Sequence, residues 1–206
     1  MLAVTTLLFS TLLLAGAARA AETIHDLELG VKLEVPLYAT PSVREVRLGP
    51  GESELHFGYR GDFAYVLSDR WALTGAVSTR RQYLYFEDED FGTPRIQSRT
   101  LRLEAGGRLS LLEPPTFLVF TGGVGWVSAF WGLDYNGLTG DRVSRGGGAY
   151  LGAGVDHFFT PRFALSGELR GWGELYPPDS LSVDPFSFEM PPGRAGVSLL
   201  VGFLFR

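Results

Sequence analysis

The stretch LRLEAGGRLSLL, residues 101–112, puts Leu101, Leu103, Ala105, Gly107, Leu109 and Leu111 on odd positions and Arg102, Glu104, Arg108 and Ser110 on even ones. Period two is the repeat of a β-strand, whose successive side chains point to opposite faces. In a half-buried strand of a water-soluble protein, the leucines would line a core and the charges would meet water. In a strand that crosses a membrane the assignment reverses. The rest of the chain decides between the two.

The same alternation recurs throughout, and no apolar set repeats at helical spacing over a helical length. It predicts eight strands, at 26–35, 54–66, 71–86, 96–111, 116–131, 147–159, 163–176 and 194–205. Three connections, 67–70, 112–115 and 160–162, are short and carry the Asp and Pro chemistry of tight turns. The other four, near 36–53, 87–95, 132–146 and 177–193, are long and polar or Pro-rich. This is the pattern of an all-β, eight-stranded antiparallel up-and-down transmembrane β-barrel. Its short turns are periplasmic, its long loops extracellular, and both termini lie on the turn side.

Strand parity yields an apolar set that includes Leu27, Leu29, Val31, Leu33, Leu101, Leu103, Leu109, Val197, Leu199, Val201, Phe203 and Phe205. The opposite set mixes Glu28, Lys32, Glu34, Arg60, Asp62, Arg80, Arg102, Glu104, Arg108, Asp156, Glu168, Arg170 and Glu174 with Gly58, Gly106, Gly152, Gly154, Gly196 and Gly202. A soluble lipocalin-like barrel would have the first set inside and the second in water. A solvated face, however, has little use for glycine, which weakens a strand. It would also favour Lys, whereas Lys32 is the sole lysine and every other strong base is Arg, the residue suited to close bidentate pairing. An eight-stranded barrel encloses a lumen only just wide enough for side chains, so glycines beside large residues mark the inside. Symmetry about the short turns sets Glu104 near Gly123, Glu168 near Gly154 and Arg170 near Gly152. The leucines therefore face lipid, and the charges form an inward, structural ion network.

Aromatic residues gather in two groups. Phe63, Tyr65, Trp71, Phe117, Phe159, Phe163, Phe203 and Phe205 lie beside the short turns, and Tyr59, Tyr83, Tyr85, Trp126 and Trp131 lie toward the loops. Two such groups fit the two interfacial belts of a membrane barrel. Arg81 and Arg99 face outward near the loop end, where they are placed to contact lipopolysaccharide phosphates by charge-assisted hydrogen bonds.

The chain has 206 residues, with 18 basic and 23 acidic groups, which leaves no basic face for nucleic acid. Residues 1–20 are apolar up to Gly16 and close on Ala18-Arg19-Ala20, the pattern of a signal peptide cleaved before Ala21. The remainder, 21–206, is then one outer-membrane domain. With no Cys, an exported chain of this kind relies on backbone pairing and packing rather than disulfides.

The segments GAGVDHFFTPRFALSGELRG (152–171) and AGVSLLVGFLFR (195–206), with the eight alternating strands and the aromatic last strand, resemble the small outer-membrane β-barrel family typified by the outer membrane protein A barrel domain. The resemblance implies a monomer in the cell outer membrane, contacts with outer-membrane lipid and lipopolysaccharide, and assembly by the barrel-insertion machinery. Family members usually end on an aromatic residue read by that machinery; here Phe205 is followed by Arg206. Some small barrels are lipid A deacylases or acyltransferases, which need His, Ser and a carboxylate together on the lipid face. Of the three histidines, His25 precedes the first strand, His56 faces inward near the loops, and His157 has opposite parity to Ser166 and Glu168. No catalytic, cofactor-binding or metal residues are therefore assigned. Glu87-Asp88-Glu89-Asp90 reads as a solvated acidic run rather than a cation site. The expected function is a structural or surface-interaction role without an open pore, with PPDSLSVDPFSFEMPPG (177–193) as the partner-binding loop. A lipid A modifying enzyme and a periplasmic lipocalin-like binder are the alternatives.

Overall fold

The computed structural model describes residues 27–39, 44–45, 49–50, 52–85, 95–112, 114–135, 138–183, 186–190 and 192–206. Residues 1–20, expected to be a signal peptide, His25 and the acidic run at 87–90 lie outside these residues. The strands are β1 (Leu27–Ala39), β2 (Arg44–Glu45), β3 (Gly49–Pro50), β4 (Glu52–Leu55), β5 (Gly58–Val66), β6 (Trp71–Tyr85), β7 (Arg95–Leu111), β8 (Thr116–Tyr135), β9 (Leu138–Thr160), β10 (Phe163–Leu175), β11 (Asp179–Val183), β12 (Phe186–Met190) and β13 (Gly193–Phe205).

Eight walls close into a barrel. Each sequence neighbour pairs antiparallel with the next from β5 through β10; β10 pairs with β13, β13 with β1, and β1 with β5. β4 continues the β5 wall outward along β6, with Glu52 opposite Tyr85 and Tyr59 opposite Thr79. Closure leaves no free barrel edge, so the backbone groups are satisfied without water, as a hydrocarbon environment requires.

The inside-out assignment is visible strand by strand. Leu103 is 46% exposed and Leu151 75%, while Arg102 is 5% and Glu168 1%. Exposed apolar rows run Val31, Leu33 on β1, Leu73, Val77 on β6, Leu165, Leu169 on β10 and Val201, Phe203 on β13. An apolar surface of this extent needs lipid to cover it.

Four sequence expectations change. The loop at 132–146 is mostly strand: β8 and β9 stay paired out to Tyr135 opposite Leu138. The loops at 36–53 and 177–193 also contain strands, which join in a second sheet ordered β11-β12-β2-β3 at the loop end. Glu104 stands opposite Gly125 rather than Gly123, because the pairing after the second turn begins at Leu111 opposite Leu118. Leu112 takes a left-handed φ of 70° there, and the symmetry centre moves by one residue. Phe117 and Trp131 leave the belts for the interior. Phe117 sits opposite inward Asp156 and meets Phe158 edge-on at 5.7 Å, and Trp131 is buried at 4% exposure.

At the turn end the remaining aromatics stay outward, and those of β9, β10 and β13 touch one another: Phe163 lies 5.4 Å from Phe203 and 6.2 Å from Phe159. Leu169, opposite Ala153 and Leu199, sits midway along its wall between that cluster and the loop end. Leu169→Arg is therefore expected to lower stability by about 2–4 kcal/mol, the cost of a cation at the bilayer midplane. Urea unfolding of protein refolded into lipid vesicles checks this; an unchanged midpoint would place that face elsewhere.

Candidate functional site

The even-numbered charges meet along the barrel axis in three tiers. In the tier nearest the turns, Glu28 on β1 accepts from Arg108 on β7 and from the Nε of Arg206 at 2.9 Å. Arg108 also approaches Asp156 on β9 at 3.9 Å. The Arg206 guanidinium lies 4.8 Å from the Phe158 ring centre. The terminal arginine thus folds back under the lumen.

The middle tier ties β1, β5, β7, β8 and β10 across the axis. Glu104 takes Arg60 from one side and Arg170, at 2.8 Å, from the other. Glu168 accepts from Arg170 at 2.9 Å, from Lys32 at 3.4 Å and from the Thr121 hydroxyl at 2.7 Å. Lys32 and Arg60 both reach Asp62. Tyr150 on β9 supplies its ring face to Arg170 at 4.1 Å, a cation–π contact.

In the third tier Glu174 accepts from Arg102, Arg194 and, at 2.6 Å, the Tyr176 hydroxyl. Glu34 accepts from Arg102 at 3.3 Å, Arg80 at 3.5 Å and the Ser198 hydroxyl at 2.9 Å. Arg80 and Arg102 lie 4.2 and 4.7 Å from the ring centre of Trp172, whose Nε1 donates to Ser198 at 3.1 Å. Above this tier the inward positions mix apolar Ile96, Ala129, Trp131 and Leu133 with polar Gln82 and Ser98, all buried.

Glycines make room for these groups. Gly106 and Gly123 face each other, and a Cβ on either would stand 2.6 or 2.9 Å from the Tyr150 hydroxyl. A Cβ on Gly152 would come 2.6 Å from the Thr121 hydroxyl and run into the Glu168 carboxylate. Between the first two tiers lies a cavity of about 30 Å³, lined in part by Thr74, Thr121 and Leu204, room for one or two waters. A vestibule of about 640 Å³ opens at the turn end, bounded by Trp71, Phe117 and Phe158 with Arg108, Asp156 and Arg206.

Parity thus brings Glu28, Lys32, Arg60, Asp62, Arg80, Arg102, Glu104, Arg108, Asp156, Glu168 and Arg170 into contact with one another or with Glu34 and Glu174. Arg194, Arg206, Tyr150, Trp172 and Tyr176 were missed, although the same even numbering assigns each of them inward. Arg81 and Arg99 are outward, exposed and directly opposite each other. His157 pairs across from outward Leu165, with its Nδ1 2.8 Å from the Thr116 hydroxyl; Ser166 and Glu168 lie on the other side of the wall. The His56 ring meets Tyr83 edge-on at 4.8 Å. Among the described residues, no group of three or more His, Asp or Glu is arranged to hold a metal.

A family described as outer membrane protein beta-barrel domain matches residues 6–187. Among solved structures, the chain is similar to Neisserial surface protein A, at 16% identity over 87% of this chain and 96% of that one, with a TM-score of 0.54. It is also similar to the outer membrane protein OprG from Pseudomonas aeruginosa, at 11% identity over 87% and 93%, with a TM-score of 0.57. At these identities the likeness is one of fold. No curated protein matches the chain.

Glu174→Ala would take the carboxylate from buried Arg194 and leave Arg102 with Glu34 alone, and removing one partner of a buried pair typically costs about 3–5 kcal/mol. The urea midpoint in vesicles is expected to fall accordingly. Arg142→Ala, which breaks an exposed pair with Asp179 at 2.8 Å, should leave it unmoved. Equal effects from the two would mean that burial does not set the strength of these pairs.

Proposed function

The chain belongs to the outer membrane protein β-barrel domain family, and on that premise we propose that it is a non-conducting, non-catalytic barrel that carries a surface-interaction platform on its extracellular end. The observation that carries this reading is the cross-axis network. Glu104 alone joins Arg60 and Arg170, and Arg102 joins Glu34 and Glu174, so paired side chains occupy the section through which solute would pass. A water-filled channel needs roughly twice as many strands.

The non-catalytic part rests on the placement of His157 and Ser166 on opposite faces of the wall, which separates a base from a nucleophile. The platform part rests on the second sheet. β12 of one connection pairs with β2 of another, Phe188 opposite Glu45, and both Leu181 and Phe188 are buried. Arg142 and Ser144 on β9 hold Asp179 of β11 at 2.8 and 3.2 Å, fixing the sheet to the wall. Their donors keep the Asp179 carboxyl below its usual range. That tie is complete at neutral pH and is lost only as pH falls through the lowered value. Connections stiffened in this way present a defined surface, the usual basis of recognition by loops on a rigid scaffold.

Reconstituted in planar bilayers, the protein is expected to give no sustained porin-sized conductance steps, and lipid A mass spectra of cells with and without the gene should be the same. Stable open steps would overturn the closed-lumen reading. A changed acylation pattern would overturn the non-catalytic one.

A further inference from the structure

The three tiers of the lumen differ in their balance of charge. Nearest the turns, the side chains of Arg108 and Arg206 meet those of Glu28 and Asp156. In the middle, Lys32, Arg60 and Arg170 meet Asp62, Glu104 and Glu168. Both of these tiers are even. Among the described residues the third sets Arg80, Arg102 and Arg194 against Glu34 and Glu174 alone, an excess of one cation. The excess falls on Arg80, which is 3% exposed. Arg102 reaches both carboxylates, and Arg194 has Glu174, the Tyr176 hydroxyl and the Thr100 hydroxyl. Arg80 has one ion pair among the described residues, to Glu34 at 3.5 Å, on an oxygen that already accepts from Arg102 at 3.3 Å and from Ser198 at 2.9 Å. The Trp172 ring beneath it attracts the charge without cancelling it.

Hydrogen bonding is one-sided in the same place. The four carboxylate oxygens of Glu34 and Glu174 all accept already. The Nη2 atoms of Arg80 and Arg102 and the Nε1 of Trp131 are buried with no acceptor, and the hydroxyls of Ser78 and Ser98 are buried without a partner. These groups are neighbours: Ser78 stands opposite Arg102, Ser98 opposite Trp131, and Arg80 shares Glu34 and the Trp172 ring with Arg102. Buried donors in surplus beside a buried, under-paired cation lack one thing, an acceptor that carries negative charge. Water would satisfy the donors and leave the charge. Level with Arg80, the inward residues of β7, β8 and β9 are Thr100, Ala129 and Ser144, a row of small side chains that suits a single-atom ion and not an organic one. We infer that Arg80, together with Arg102 and Trp131, binds a monatomic anion of the chloride class inside the lumen, and that this ion neutralises the third tier. A closed lumen does not require such an ion, so conductance and halide binding fail independently.

The test unfolds the full-length protein with urea in lipid vesicles at a low and a tenfold higher chloride concentration, with gluconate holding the ionic strength constant. A ligand that binds only the folded state raises the folding constant with its concentration, and wild type is expected to gain about threefold or more over this step, with bromide able to replace chloride. Arg80→Gln removes the under-paired cation and should abolish the response. Trp131→Phe keeps a ring but no donor and should weaken it. Arg70→Gln, an exposed arginine at the turn end, should respond as wild type does. Each variant is scored only on protein whose gel mobility changes on heating, and Trp131→Phe carries the comparison if Arg80→Gln does not fold. A wild-type folding constant indifferent to chloride would mean that water alone fills the tier. A response in Arg80→Gln or Trp131→Phe equal to that of wild type would mean that the salt acts elsewhere. Either result overturns the site.

Discussion

Eight strands enclose a lumen barely wide enough for side chains, and this narrowness governs the rest of the molecule. Whatever points inward must leave little empty space and find an opposite charge. A charge taken out of water unpaired costs several kcal/mol, whereas one that shares two or three opposite partners is tolerated. The lumen meets both demands by sharing: Glu174, Glu34, Glu104 and Glu168 each accept from at least two donors. Glycine opposite bulk solves the volume problem, as where Tyr150 overlies Gly106 and Gly123.

The exterior follows from the same closure. Once every strand pairs on both sides, only side chains contact the surroundings, and alternation gives that surface mostly to apolar residues and glycine. The interior can then be rigid without a hydrophobic core. Arg102 connects β7 to β1 and β10, and Arg194 connects β13 to β10 and, through the Thr100 hydroxyl, to β7. The links that reach β7 tie walls that are not neighbours in the sheet. A scaffold braced in this way supports strands that continue well past the apolar zone, such as β8 and β9, and the small sheet attached to them through Asp179.

Period two made the walls and their inward charges readable from residues alone, because each strand buries one face and the alternation survives wherever that face is polar. It failed where the inward face turns apolar. From Trp126 to Trp131 both faces of β8 are largely hydrophobic, so an aromatic near the wall's end was assigned to the belt although Trp131 is buried inside. The hairpin at 132–146 was hidden by its Gly and Asp content, yet Asn136-Gly137 is the sequence of a two-residue hairpin turn, and the pairing does close at Tyr135 and Leu138. The contacts between the first and last connections had no local signal. β2 and β12 are more than 130 residues apart, and nothing in either stretch specifies the other. Arg206 read as a departure from the family's ending; its salt bridge to Glu28 gives that residue a structural role at the turn end.

The account depends on attraction between side chains that reach each other across the axis, not on each charge being separately tolerated. A double-mutant cycle measures that attraction directly. Arg60→Gln, Glu104→Gln and the pair, each refolded into lipid vesicles and unfolded in urea, should show a coupling energy of about 1 kcal/mol or more, within the range found for residues sharing a network. Effects that simply add, to within about 0.5 kcal/mol, would contradict it.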